Sequence, residues 1–197
     1  MKIILASKSP RRREILSSLG LSFEILSADA DESSSERDPL RLAEELSLRK
    51  GRATRDLLVS RGEWNDDTLV IAADTVVVRD EEILGKPKDE SDAVRMLRSL
   101  SGNTHSVVSG VSLLYGERET AAAEQTTVVF SRLSDEDLLR YVRTGEPMDK
   151  AGAYAVQGLA SMWIEGIRGD YFSVVGLPVH RLNELLREFL GKELLDL

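Results

Sequence analysis

The side chains in this sequence that could do chemistry fall into two groups. Three arginines, Arg11, Arg12 and Arg13, follow Ser9-Pro10, and lysines recur at Lys50, Lys86 and Lys150. Opposed to them are Asp31, Glu32 and Asp74. Cationic groups suit a polyphosphate and carboxylates suit a hard divalent metal, so together they suggest metal-assisted attack of water on a phosphoanhydride. Other chemistries lack their motifs. There is no Gly-x-x-x-x-Gly-Lys-Ser/Thr stretch for a P-loop, no Gly-x-Gly-x-x-Gly for a dinucleotide and no Gly-x-Ser-x-Gly for a serine hydrolase elbow. His105 and His180 are the only histidines and cysteine is absent. That excludes a multi-histidine metal site, a thiolate zinc site, a disulfide scaffold and a cysteine nucleophile. Any metal has to sit on carboxylates, which favours magnesium or manganese.

The elements that must position these groups can be read from pattern. Lys2 to Ser7 reads as a strand running into a helix, with Ser9 at the N-cap and Pro10 at the first helical position. Ile15, Leu16 and Leu19 form the apolar stripe of that helix and Gly20 closes it. The three arginines therefore fall in the first turn, where the helix dipole is already positive. An anion bound at that end removes the conflict, and three solvated arginines tolerate it at small cost. Asp74 interrupts Leu69 to Val78, a run so apolar and β-branched that both faces of a strand must be covered. A carboxylate there is costly unless paired, hydrogen-bonded or holding a metal. It either caps a strand end facing solvent or stands at the lip of a cleft, and this stretch alone leaves both open.

The remaining chain alternates strands and helices. Phe23 to Leu26 reads as a short strand, followed by the acidic, serine-rich loop Ala28 to Ser35. Asp38-Pro39 starts a long helix with Leu40, Ala43, Leu46, Ala53 and Leu57 near helical spacing. Val76 to Arg79 and Ile83 to Leu84 flank an acidic turn and predict a hairpin. Gly85-Lys86-Pro87 follows, with Lys86 biased to an extended conformation. Ser91 to Leu100 reads as an amphipathic helix, and Thr104 to Tyr115 with Ala121 to Phe130 as a long hairpin about Gly116 to Glu119. Ser134 and Asp137 fit a capping box. Glu146 to Gly158 is loop-like, Ser161 to Ile167 and Tyr171 to Val175 read as a last hairpin, and Gly176-Leu-Pro178 introduces a C-terminal helix.

The chain has 197 residues, 42% of them hydrophobic, enough for a sizeable core in one large domain or two lobes sharing a sheet. The net charge of −8 disfavours a nucleic-acid polymer as partner. The apolar run at the N-terminus is too short for a signal peptide or membrane span, so neither a membrane partner nor export is expected. The expected fold is α/β, a mixed sheet with flanking helices and two lobes around a cleft.

Several segments, in order, match one family. They are Ala6 to Arg13, Asp31-Glu32, Arg49-Lys50, Ala73 to Val76, Gly85-Lys86-Pro87, Leu100 to Gly102 with His105, Glu146 to Tyr154 with Gln157-Gly158, and Val175 to Pro178. The chain resembles the Maf family of nucleoside triphosphate pyrophosphatases nearly end to end, as a single domain over 1–197. The resemblance implies an elongated fold like that of inosine triphosphate pyrophosphatases and a divalent cation, magnesium or manganese. It implies hydrolysis of a nucleoside triphosphate to the monophosphate and pyrophosphate in the cytoplasm, with a homodimer left open. By resemblance, Asp74 is the catalytic base and Glu32 and Asp74 hold or orient the metal. Ser9, Arg11, Arg12, Lys50, Lys86 and Lys150 surround the triphosphate. One group in the family prefers dTTP and UTP, with CTP or modified uridine triphosphates left open, and another acts on 7-methyl-GTP. The second group has tryptophan, glutamine and glutamate where this chain has Arg11, Thr75 and Gln157. The chain is thus similar to the dTTP/UTP group, and a neutral Gln157 amide can pair with a pyrimidine carbonyl and N–H. The family's association with septum formation keeps a nucleotide-binding regulator of division with little turnover as the alternative.

Overall fold

The computed structural model describes residues 1–197. In chain order the elements are β1 (Lys2–Leu5), α1 (Pro10–Ser18), β2 (Glu24–Ile25), α2 (Pro39–Ser60), β3 (Thr68–Arg79), β4 (Glu82–Leu84), α3 (Glu90–Leu100), β5 (Thr104–Tyr115), β6 (Arg118–Phe130), α4 (Asp135–Val142), β7 (Ile164–Arg168), α5 (Tyr171–Val175) and α6 (Val179–Leu190). The strands form a seven-stranded sheet in the order β2-β1-β3-β5-β6-β7, with β4 paired to β3. The β1–β2 and β1–β3 pairings are parallel, whereas β3–β4 and β6–β7 are antiparallel. The mixed α/β expectation therefore holds. No helix is long and apolar enough to cross a membrane.

The chain divides into two compact units. The first contains Met1–Asp74, Ser109–Glu124 and Gly176–Leu197, and the second contains Thr75–Val108 and Gln125–Val175. In the first unit a cluster of Ile4, Ala6, Leu58, Val70, Ala72 and Leu114 fills the space between sheet and helix. β1 lies in register with β3, Ile4 opposite Val70. Asp38 caps α2 by accepting from the backbone N–H groups of Leu40 and Arg41, both at 3.0 Å. The buried face of α2 is Leu42, Ala43, Leu46, Ser47, Gly51, Thr54 and Leu58. Of the expected stripe only Ala43 and Leu46 belong to it, and Leu40 is exposed. The reason is close approach. A Cβ on Gly110 of β5 would lie 2.1 Å from the Ala43 carbonyl oxygen, and one on Gly51 would lie 2.4 Å from Leu114 Cδ1. The closest approaches of this helix to the sheet fall at small residues, Ala43 and Gly51. α6 buries Leu182, Leu185 and Leu186, and ends at Gly191 in the left-handed conformation, φ 65°.

The second unit has its own core. Val77, Leu84, Leu97, Leu100, Val107, Val128, Phe130, Leu138 and Tyr141 are among its buried members. The β3–β4 hairpin turns at Asp80-Glu81, with Val77 opposite Leu84. α4 begins with the expected capping box: Ser134 Oγ accepts from Asp137 N and the Asp137 carboxylate accepts from Ser134 N. His105, Phe130 and Tyr154 pack as a buried aromatic cluster, in which His105 Nε2 lies 2.7 Å from the Tyr154 hydroxyl. Burial, with the nearby Arg79 charge second, holds the His105 pKa down to about 4, so the ring is neutral at physiological pH.

The last expected hairpin is corrected. β7 pairs with β6, but Tyr171 to Val175 is a short helix. Its β-branched and aromatic composition reads as strand, yet Asp170 caps it: Asp170 Oδ1 accepts from Phe172 N at 2.8 Å. Thr126 Oγ1 accepts from Asp170 N at 3.0 Å and donates to Asp170 O at 3.1 Å, which occupies the backbone groups a returning strand would need. The cap outweighs the local β preference.

Candidate functional site

Three elements of the first unit supply the charged groups. The strand–loop–helix formed by β1 and α1 places Ser9 at the N-cap position, as expected, but its hydroxyl makes no capping hydrogen bond. No acidic residue lies in the first turn, so the positive helix end is left to the arginines. Arg13 is exposed, whereas Arg11 and Arg12 are half-buried. Arg12 turns inward: its Nε donates to the Gly176 carbonyl at 2.7 Å and its Nη1 to Ser7 Oγ at 3.1 Å. Desolvation holds its pKa below the ordinary arginine value; the neighbouring Asp74 and Glu32 charges oppose that shift and Arg11 reinforces it.

α2 supplies Lys50. Its Nζ contacts Asp74 Oδ1 and sits 2.8 Å from Glu32 Oε1. Asp74 is 8% exposed, on the last residue of β3 assigned to this unit. The question of whether Asp74 caps an exposed strand end is thereby answered: it is buried and ion-paired. A buried carboxylate tolerates this position because a lysine is held against it. The Gly51 and Gly110 contacts fix α2 on the sheet and so fix Lys50 beside the strand.

Asp74 and Glu32 converge on one cation, the Lys50 ammonium, and both offer hard oxygen donors. That donor set fits magnesium or manganese. No group of three or more histidine or acidic side chains converges anywhere in the chain, so an all-protein cage is absent. Two carboxylates suit an ion that completes its shell with water and phosphate oxygens.

The second unit carries Thr75, Lys86, Lys150 and Gln157. Thr75 follows Asp74 on β3 and is half-buried. Lys86 is exposed just beyond β4. Lys150 contacts the Asp149 carboxylate and donates to the Glu146 carbonyl at 3.2 Å. A backbone hydrogen bond from Gly152 N to Gly85 O, 3.0 Å, ties the Lys150 and Lys86 segments together. Gly152 has φ 68°, and a Cβ there would lie 2.9 Å from Val77, so only glycine fits this crossing. Gln157 is exposed at the tip of a turn closed by Gly158 N donating to Ala155 O at 3.2 Å. Sequence reasoning gave Ser7, the Gly176 carbonyl and the supports of the Gln157 turn no part in the site. Ser7 and Gly176 carry no chemical signal on their own, because their contribution is position.

The first unit thus gathers charge of both signs: the Lys50 ammonium meets the Asp74 and Glu32 carboxylates, and the half-buried Arg12 guanidinium feels both of those charges. The family model described as Maf-like protein matches residues 2–189, and the chain belongs to that family. It is 45% identical over 192 residues to a protein of Thermoanaerobacter sp. (strain X514) named dTTP/UTP pyrophosphatase, covering 96% of this chain and 97% of that one. Proteins of the same name from Thermosipho africanus and Symbiobacterium thermophilum are each 47% identical, over 186 and 189 residues. Those alignments cover 94% and 95% of this chain and 92% and 94% of the relatives. A solved structure, that of the Staphylococcus aureus Ham1 protein, aligns at a TM-score of 0.43 and 16% identity over 68% of this chain and 73% of that one.

Proposed function

We propose that this protein hydrolyses nucleoside triphosphates, with dTTP and UTP preferred, to the monophosphate and pyrophosphate. The observation that carries the reading is the Lys50 ammonium held between Asp74 and Glu32 in the unit that also holds the half-buried Arg12. The names of the relatives support the substrate class.

In this reading Asp74 accepts a proton from the water that attacks the α-phosphorus. Its place on a buried strand restricts its motion, which favours a well-oriented base. Arg12 and Arg11, with the Ser9 hydroxyl at the uncapped start of α1, bind triphosphate oxygens. Lys50, Lys86 and Lys150 add charge to the same task. A divalent cation held by Glu32 and Asp74 would supply Lewis-acid neutralisation of the phosphate charge. Thr75 and Gln157 read the base. A neutral amide at 157 offers a donor and an acceptor, the complement of a uracil or thymine edge.

The test is pyrophosphate release from UTP, dTTP, CTP and 7-methyl-GTP with magnesium or manganese, for the wild type and Gln157→Glu. That substitution keeps the shape and replaces a donor with a charge. UTP and dTTP kcat/KM should fall by roughly tenfold or more. An unchanged UTP value and preference order would remove Gln157 from base recognition. Binding of UTP with no pyrophosphate released by the wild type would favour a nucleotide-sensing regulator instead.

A further inference from the structure

The turn that carries Gln157 is tied to a carboxylate that a buried phenol holds in place. The Tyr141 hydroxyl donates to Glu146 Oε1 at 2.8 Å. The Leu159 backbone N–H donates to Glu146 Oε2 at 3.1 Å. Leu159 stands two positions after Gln157. The turn itself is closed by Gly158 N donating to Ala155 O. A Cβ at Gly158 would lie 2.2 Å from Glu146 Oε1, so glycine is what lets the carboxylate reach across to Leu159. Tyr141 is buried in the core of the second unit, and its ring packs edge-on against Trp163 with centroids 5.3 Å apart.

We propose that Tyr141 and Glu146 form a positioning clamp that fixes the Gln157 turn and so sets base recognition, although neither side chain contacts the substrate. This rests on the reading of Gln157 as the residue that meets the base. An exposed amide on a turn samples several directions, and each must be given up on binding. Anchoring the backbone just after the amide lowers that cost before the nucleotide arrives. Burial, with the Glu146 contact second, raises the Tyr141 phenol well above its ordinary pKa, so it remains a donor. Neither clamp residue lies within the Asp74, Glu32 and Lys50 group, so its loss should spare phosphate binding.

The experiment is a double-substitution cycle with Tyr141→Phe and Gln157→Ala, and Glu146→Gln as a second test of the clamp. Tyr141→Phe keeps the buried ring and removes the hydroxyl that holds the Glu146 carboxylate. Glu146→Gln can satisfy Leu159 only by leaving the Tyr141 proton without an acceptor. Affinities are measured for a non-hydrolysable α,β-imido analogue of UTP and for inorganic tripolyphosphate, which reports the phosphate contacts alone. Tyr141→Phe should weaken the analogue by about fivefold to tenfold, with tripolyphosphate changed less than about twofold. In the Gln157→Ala background it should have no further effect. Glu146→Gln should follow the same pattern with a smaller loss. Equal weakening of both ligands, or the same loss in the Gln157→Ala background, would show a merely structural role and overturn the clamp. If Gln157→Ala weakens the analogue and neither clamp variant does, the clamp fails and base reading stands. If Gln157→Ala leaves the analogue unchanged, base reading fails and the clamp fails with it.

Discussion

Asp74→Asn separates catalysis from folding most cleanly. The substitution keeps the side-chain volume and removes the charge, so the Lys50 ammonium loses one of its two carboxylates and keeps Glu32 at 2.8 Å. Glu32 is 54% exposed at its side chain, so Lys50 still has a solvated partner. The amide oxygen of asparagine can also accept from the lysine. The stability loss should therefore be about 1–2 kcal/mol, well below that of stranding a buried charge. A protein of ordinary stability, roughly 5–15 kcal/mol, stays folded through that change. The rate effect is of another size. Removing a general base costs roughly 100- to 10,000-fold, which is about 2.7–5.4 kcal/mol of barrier. The assay is pyrophosphate release from UTP under saturating conditions, with urea denaturation run on the same preparations. Turnover should collapse while the denaturation midpoint moves only slightly. Turnover within threefold of wild type would refute the assignment of Asp74 as base. A stability loss large enough to unfold the variant would refute the argument that Glu32 keeps Lys50 satisfied.

Arg12→Ala should weaken inorganic tripolyphosphate by about tenfold or more and uridine by less than about twofold, measured by calorimetry; equal effects would point to the lost Ser7 and Gly176 bonds rather than to phosphate contact. Gly110→Ala should destabilise the fold by at least about 2 kcal/mol in chemical denaturation, because the new methyl group would meet the Ala43 backbone, which cannot rotate away. Wild-type stability in that variant would mean that α2 does not sit against β5 as described. His105 gives a pH signature. Its folded pKa of about 4 lies below the ordinary 6.5, so its stabilising effect is complete above pH 6.5 and is lost as pH falls towards 4. Between pH 7.5 and 5 the wild type should lose about 2 kcal/mol more than His105→Gln, read from denaturation curves at each pH. Parallel losses would place the histidine outside the buried cluster.

The parts of the fold legible in the sequence are those where one local signal met no competitor. β3 announced itself by an apolar run with no alternation, and the Ser134 capping box by its spacing. Tyr171 to Val175 did not, because its residues favour a strand and the decisive contact comes from Thr126, on another strand. The face of α2 was misplaced for a similar reason. The helix comes closest to the sheet at Gly51 and Ala43, and small residues at those points give a hydrophobic stripe nothing to show. In the site, charge at unusual places was readable: arginines at a helix start and a carboxylate in a buried strand. Support was not. Tyr141 and Glu146 look like ordinary helix and loop residues until the Leu159 backbone donor is placed against the carboxylate that Tyr141 holds.

The bond from Arg12 to the Gly176 carbonyl joins residues 164 positions apart. During synthesis, then, the arginine assigned to the triphosphate leaves the ribosome long before its anchor does. The first unit cannot close until Gly176 to Leu197 is added to the two earlier segments. Contacts of such long span form late and slowly. A nascent chain that holds Asp74 and Lys50 but not yet Gly176 has both partners of that ion pair without the carbonyl that braces Arg12. The order in which the chain is made thus sets Arg12 in its bonded position only after Gly176 has emerged.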